Sequence, residues 1–193
     1  MINKDVKANR TAFIITLFSL LLLVISSVFT LFTRISDKDV QAMEAAAQKL
    51  IIANFDSVSY FRLASLPALE GYDPAQYPEN VIPCDTKLFA DYQALRNFVG
   101  ATYAPAAAVS VLNTETNGAK RYFDYNGQLC MAYIEPDLTY DRDWSSVRFT
   151  LSAIRRKSAD IHVTIPVKSG TEATLELKMA KLDGQWRLLE MVY

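Results

Sequence analysis

"RYFDYNGQLCMAYIE", residues 121–135, decides the fold. Apolar and polar residues alternate on both sides of Asn126-Gly127, and Asn-Gly between alternating runs is the strongest short-range signal for a two-residue hairpin turn. From Arg121 onward the hydrophobic period is therefore two. "VRFTLSAI" puts Val147, Phe149 and Leu151 on one face, and "DIHVTIPV" does the same with Ile161, Val163, Ile165 and Val167. "ATLELKMAKL" offers Leu175, Leu177 and Met179, after which Asp183-Gly184 turns the chain into "QWRLLEMVY". In that last segment the alternation slips by one, which predicts a bulge near Leu188.

Upstream of this meander the period is helical. Ser36 with Asp39 three residues on has the form of an N-cap, and Val40, Met43, Ala47, Leu50, Ile51 and Phe55 follow at helical spacing. "SLPALEGYDPAQYPENVIP" (65–83) carries four prolines and a glycine, so it reads as an ordered loop with at most a short strand. Asp85 or Thr86 is the expected cap of a second helix with Leu88, Tyr92, Leu95, Phe98 and Val99 on its apolar face and Gly100 at its end. Pro105 then opens a third. Helices first and antiparallel strands afterwards predict an α+β domain in which helices cover one sheet face.

Before all of this stands "TAFIITLFSLLLLVISSVFTLFT", residues 11–33, without a charged side chain. Twenty-three residues form a helix of roughly 34 Å, enough for a hydrocarbon core of about 30 Å. A cleaved signal would have a shorter apolar stretch and small residues at its end, where this chain has Phe29, Leu31 and Phe32. Residues 11–33 therefore read as a retained signal anchor embedded in a lipid bilayer. Lys4, Lys7 and Arg10 precede it, which places residues 1–10 in the cytoplasm and the 36–193 domain outside.

Residues 35–193 carry 16 basic and 20 acidic side chains. That mild excess implies neither a nucleic-acid surface nor a disordered acidic tail. "RRK" at 155–157 reads as a solvated hairpin tip. Cys84 and Cys130 either form a disulfide or are two buried thiols. Neither belongs to a Cys-x-x-Cys pair, and no phosphate loop, dinucleotide fingerprint or nucleophile elbow occurs, so no cofactor is expected. His162, the single histidine, should face away from Ile161 and Val163, with Asp160 on the wrong phase to assist it.

Acids gather once, in "EPDLTYDRDWS" (135–145). Glu135, Asp137, Asp141 and Asp143 there admit three readings: an exposed acidic loop, a protrusion docking into a basic cleft with Tyr140 and Trp144 as anchors, or a catalytic or metal-binding pair. The spacing does not match a calcium loop.

"CDTKLFADYQALRNFVGATYAPAAAVSVL", "YFDYNGQLCMA", "DWSSVRFT" and "LDGQWRLLEMVY", taken in that order, resemble the bacterial D,L-endopeptidase inhibitor family (IseA-like) over roughly residues 48–193. The resemblance implies a cystatin-like or nuclear-transport-factor-like domain with a curved antiparallel sheet. It also implies binding rather than catalysis, by an extracytoplasmic protein that blocks cell-wall cysteine peptidases. Two alternatives stand beside it: a single-span scaffold of a secretion or conjugation assembly, and an enzyme or small-ligand binder using a pocket in the sheet.

Overall fold

Asp37–Val58 forms one long helix, α1, because the stretch holds neither proline nor glycine and is rich in alanine. Met43, Ala47, Leu50 and Ile51 are buried along one stripe, as their spacing predicts. A π-helical turn, Ser59–Leu63, ends it, closed by a hydrogen bond from Ala64 N–H to Ser59 C=O. The computed structural model describes Ser19, Leu22 and residues 35–116, 118–132 and 139–193. The chain divides into two compact units, Met1–Asp37 and Lys38–Tyr193.

Apart from the helical residues Ser19 and Leu22, the proposed anchor at 11–33 lies outside the described residues, as do Glu135 and Asp137 of the acidic loop. Among the described residues, no helix is long and apolar enough to cross a membrane.

The second helix, α2, spans Tyr92–Thr102 and begins later than the sequence predicts. Cys84 is paired with Ala68 in an antiparallel bridge, and Asp85 N–H bonds to Pro67 C=O, so the chain is still extended there. Asp85 accepts from Lys87 N–H in a local turn, and the helix cap falls to Asp91, whose carboxylate accepts from Ala94 N–H at 2.7 Å. Leu88, expected on the apolar face, is exposed. Gly100 lies inside the helix rather than ending it. The end is set instead by Tyr103-Ala104 before Pro105, which opens α3 (Pro105–Leu112).

The antiparallel strands part into three sheets, where a single meander was expected. β1 (Val81–Pro83), β5 (Gln128–Ala132) and β4 (Tyr122–Tyr125) form one, in the order β1-β5-β4. β2 (Glu115–Thr116) and β3 (Ala119–Lys120) form a short hairpin that the sequence did not announce. β6 (Arg148–Arg155), β7 (Ser158–Pro166), β8 (Glu172–Leu182) and β9 (Gln185–Leu188) form the largest, in consecutive order.

Both expected tight turns are present, with left-handed φ at Asn126 and Gly127 and at Asp183 and Gly184. β7 alternates without a slip, burying Ala159, Ile161, Val163 and Ile165 and turning Asp160, His162 and Thr164 to the other face. No bulge occurs at Leu188. The strand ends there with Leu188 paired to Met179 of β8 on one side and bridged to Tyr103 on the other; Leu189 N–H still bonds to Lys178 C=O at 2.8 Å, and residues 190–193 leave the sheet. The bulge falls instead in β6, between Ser152 and Arg155, where Ala153 adopts φ +46°.

Candidate functional site

The acidic loop is a fixed structure over its described part. Asp143 N–H bonds to Pro166 C=O at 2.8 Å, Lys168 N–H to Asp141 C=O at 3.0 Å, and Arg142 bridges Val167. These two backbone hydrogen bonds, which together make the Arg142–Val167 bridge, fasten residues 141–143 to the turn joining β7 and β8. Asp143 caps a one-turn 3-10 helix, Trp144–Ser146, accepting from the Ser145 N–H and hydroxyl. Those bonds from Ser145, with a further one from Ser146, hold its carboxyl below the ordinary aspartate range.

Under the docking reading, one of the three left open, Trp144 is a candidate anchor. It points inward. Its ring stacks on Phe55 of α1 at 5.2 Å, its indole N–H donates to Tyr140 Oη at 2.7 Å, and it is 9 % exposed. An indole is large enough to prefer the core when a partner exists for its one polar atom, and Tyr140 supplies that partner. Tyr140, half-buried, also carries the Arg142 guanidinium 5.7 Å from its ring centre. Of the docking residues expected from sequence, Asp141 and Asp143 sit half-exposed on a loop that Trp144 pins from within.

Cys84 and Cys130 are free, buried thiols. Pro83 stands opposite Cys130, while Cys84 N–H bonds to Leu129 C=O, so the two cysteines are one residue out of register. Their side chains therefore leave opposite faces of the strand pair, which removes the disulfide alternative. Burial pushes the Cys84 thiol up to about 12.

On the open face of the large sheet, Ser152 Oγ lies 2.6 Å from His162 Nε2. Thr150 and Glu176 are the cross-strand neighbours of His162, and Asp160 that of Ser152. Asp160 is two residues from His162 and shares its face, so the expectation that it lies on the wrong phase is corrected. Serine and imidazole here meet on an open sheet surface. Among the described residues, no group of three or more His, Cys, Asp or Glu is arranged to hold a metal ion.

Sequence reasoning missed Arg121, which is fully buried. Its guanidinium donates to Ala132 C=O, Ala64 C=O and, at 2.7 Å, Ser65 Oγ. Beside it Tyr122 Oη accepts from Leu66 N–H and donates to Tyr60 C=O. Together they fasten the end of the first helical segment to the β4–β5 pair. A basic residue beside Lys120 at the start of a strand carries no pattern that would reveal such a role.

Two concavities are lined by described residues. A groove of about 580 Å³ runs between α1 and β6, lined by Gln41, Glu44 and Gln48 and by Phe149, Leu151 and Ile154. β6 is an edge strand, with β7 its only strand neighbour among the described residues. A cavity of about 370 Å³ lies among the turn at Arg62, α3 and residues 189–193. No protein-family model matches the chain, and no curated protein is significantly similar to it.

Proposed function

We propose that this chain is a membrane-tethered, extracytoplasmic binding protein that regulates cell-wall D,L-endopeptidases by docking, without catalysis of its own. Residues 11–33 hold it in the bilayer, residues 1–10 stay in the cytoplasm, and the domain from residue 36 works outside. The order of helices and antiparallel strands supports the kinship with IseA-like inhibitors and their cystatin-like or nuclear-transport-factor-like domain.

The observation that carries the reading is the pinned acidic loop. Asp141 and Asp143 sit on a backbone bonded to the β7–β8 turn and clamped from inside by Trp144 on Phe55. A loop already fixed loses little freedom on binding, and its carboxylates favour a partner with a basic cleft. Tethering confines the effect to the wall nearest the membrane and raises the local concentration of the regulator there.

The test is direct. Fragment 36–193 at micromolar concentration should slow peptidoglycan cleavage by one or more D,L-endopeptidases, and Asp141→Lys should weaken the effect. Undiminished cleavage across a panel of such enzymes refutes the proposal. Reporter fusions at Tyr193 should be active outside the cytoplasm, and activity on the cytosolic side refutes the topology.

A second reading, a scaffold subunit of a secretion or conjugation assembly, draws on the edge of β6 beside the α1 groove, an edge with no strand partner among the described residues. Such an edge accepts an extended segment of another subunit by strand addition. Copurification of other membrane components after gentle detergent extraction would favour it, and a solitary monomer would oppose it.

A further inference from the structure

The cavity of about 370 Å³ is within the size range of small-molecule sites and has an unusual charge pattern. Arg62 and Glu190 both line it. Among the described residues no ion pair joins them, the two present being Lys87–Asp85 and Arg148–Glu172. Opposite charges on one concave wall that do not neutralise each other leave one cationic and one anionic pole for a ligand.

The guanidinium of Arg62 lies 5.4 Å from the centre of the Tyr193 ring, a stacked arrangement that orients its planar fork of donors. Ser110 and Thr114 add hydroxyl-bearing side chains to the lining and Val111 an apolar one. Thr114, only 8 % exposed, is among the residues that line the cavity.

We propose that this cavity binds a small zwitterion of the amino-acid or short-peptide class. The ligand carboxylate pairs with Arg62 through two parallel N–H···O bonds, its ammonium group with Glu190, and its backbone polar atoms with Ser110 and Thr114. A simple anion would gain from Arg62 and be repelled by Glu190, and a simple cation the reverse. Only a molecule carrying both charges satisfies both walls. This site is separate from the acidic loop and does not rest on the docking function, so either can fail alone.

The test uses the full chain in detergent and three probes: alanyl-alanine, its N-acetyl form and its C-terminal amide, each peptide in L,L and D,D forms. Free alanyl-alanine of at least one configuration should bind by calorimetry and raise the melting temperature with concentration. Blocking either terminus should weaken binding by roughly ten-fold or more, as should Arg62→Met and Glu190→Gln. Both side chains are exposed, so the variants should keep the parent's unliganded melting temperature. Should one lose it, the blocked peptides decide alone. Equal binding of free and blocked peptides, or no binding of the free peptide at millimolar concentration, overturns the proposal.

Discussion

Asn54 and Val192 lie 138 residues apart and share two hydrogen bonds. The Asn54 amide donates to Val192 C=O at 2.7 Å, while its carbonyl oxygen accepts from Val192 N–H at 3.2 Å. The same oxygen accepts from Tyr103 Oη at 3.1 Å. One fully buried carboxamide thus stands in for a strand partner where the chain has left the sheet. It ties the C-terminal tail to α1, and with it the wall of the cavity that Glu190 and Tyr193 form.

Asn54→Ala should accordingly destabilise the domain by about 2–3 kcal/mol, because it strands three polar groups in an interior. Tyr103→Phe removes one of those bonds and should cost about 1 kcal/mol. Urea unfolding of both variants and of the double variant checks this. The pair should be non-additive, since both substitutions break the Tyr103–Asn54 bond.

Trp144→Ala should cost about 3–5 kcal/mol, as expected for a large aromatic side chain removed from a packed site. Trp144→Phe keeps the stack on Phe55 and loses the hydrogen bond to Tyr140, so most of the stability should return. A surface anchor would show neither effect in the absence of a partner. Thermal melts of the isolated protein separate the two roles.

Neither cysteine should react with Ellman's reagent in the folded protein at pH 8, and both should react after denaturation, without prior reduction. The Cys84 thiol rises from an ordinary value of 9.0 to about 12 in the folded state, so the folded protein holds its proton longer than the unfolded chain does. Its contribution to stability is fully present below pH 9 and is lost as the pH climbs from 9 towards 12. Burial also raises the Tyr103 and Tyr122 hydroxyls above 10.0, which adds to the loss in the same direction. Urea midpoints measured from pH 7 to pH 11 should therefore be level at first and fall above about 9.

Ala153 and Gly127 should respond in opposite ways to exchange. Ala153 occupies the bulge at φ +46°, where a Cβ is strained, so Ala153→Gly should stabilise by up to about 1 kcal/mol. Gly127 at φ +82° closes the β4–β5 hairpin, and Gly127→Ala should cost about 1–2 kcal/mol although nothing lies within 4 Å of the added Cβ. Chemical denaturation of each variant measures both signs.

Local chemistry was legible in advance. The glycine turns at 127 and 184, the alternation of Ile161, Val163 and Ile165 and the proline start of α3 all depend on residues adjacent in the chain. In the described part of the acidic loop, the sequence leaves Trp144 open between an anchor and a core residue. Its hydrophobic bulk could point outward to a partner or inward to a core, and only the presence of Phe55 opposite it decides.

What the sequence by itself determined, then, was element type: the long helices before residue 113, most of the strands after it, and an uncharged run at 11–33. Tertiary structure alone decided where those elements stop and which of them meet. Asp91 rather than Asp85 caps α2 because Ala68 has already claimed Cys84, and Leu188 at the end of the last strand is bridged to Tyr103. Asn54 faces Val192, and Arg62 shares a cavity with Glu190, through closures of more than a hundred residues. Such contacts have no local periodicity, since they are fixed by the simultaneous packing of the whole chain.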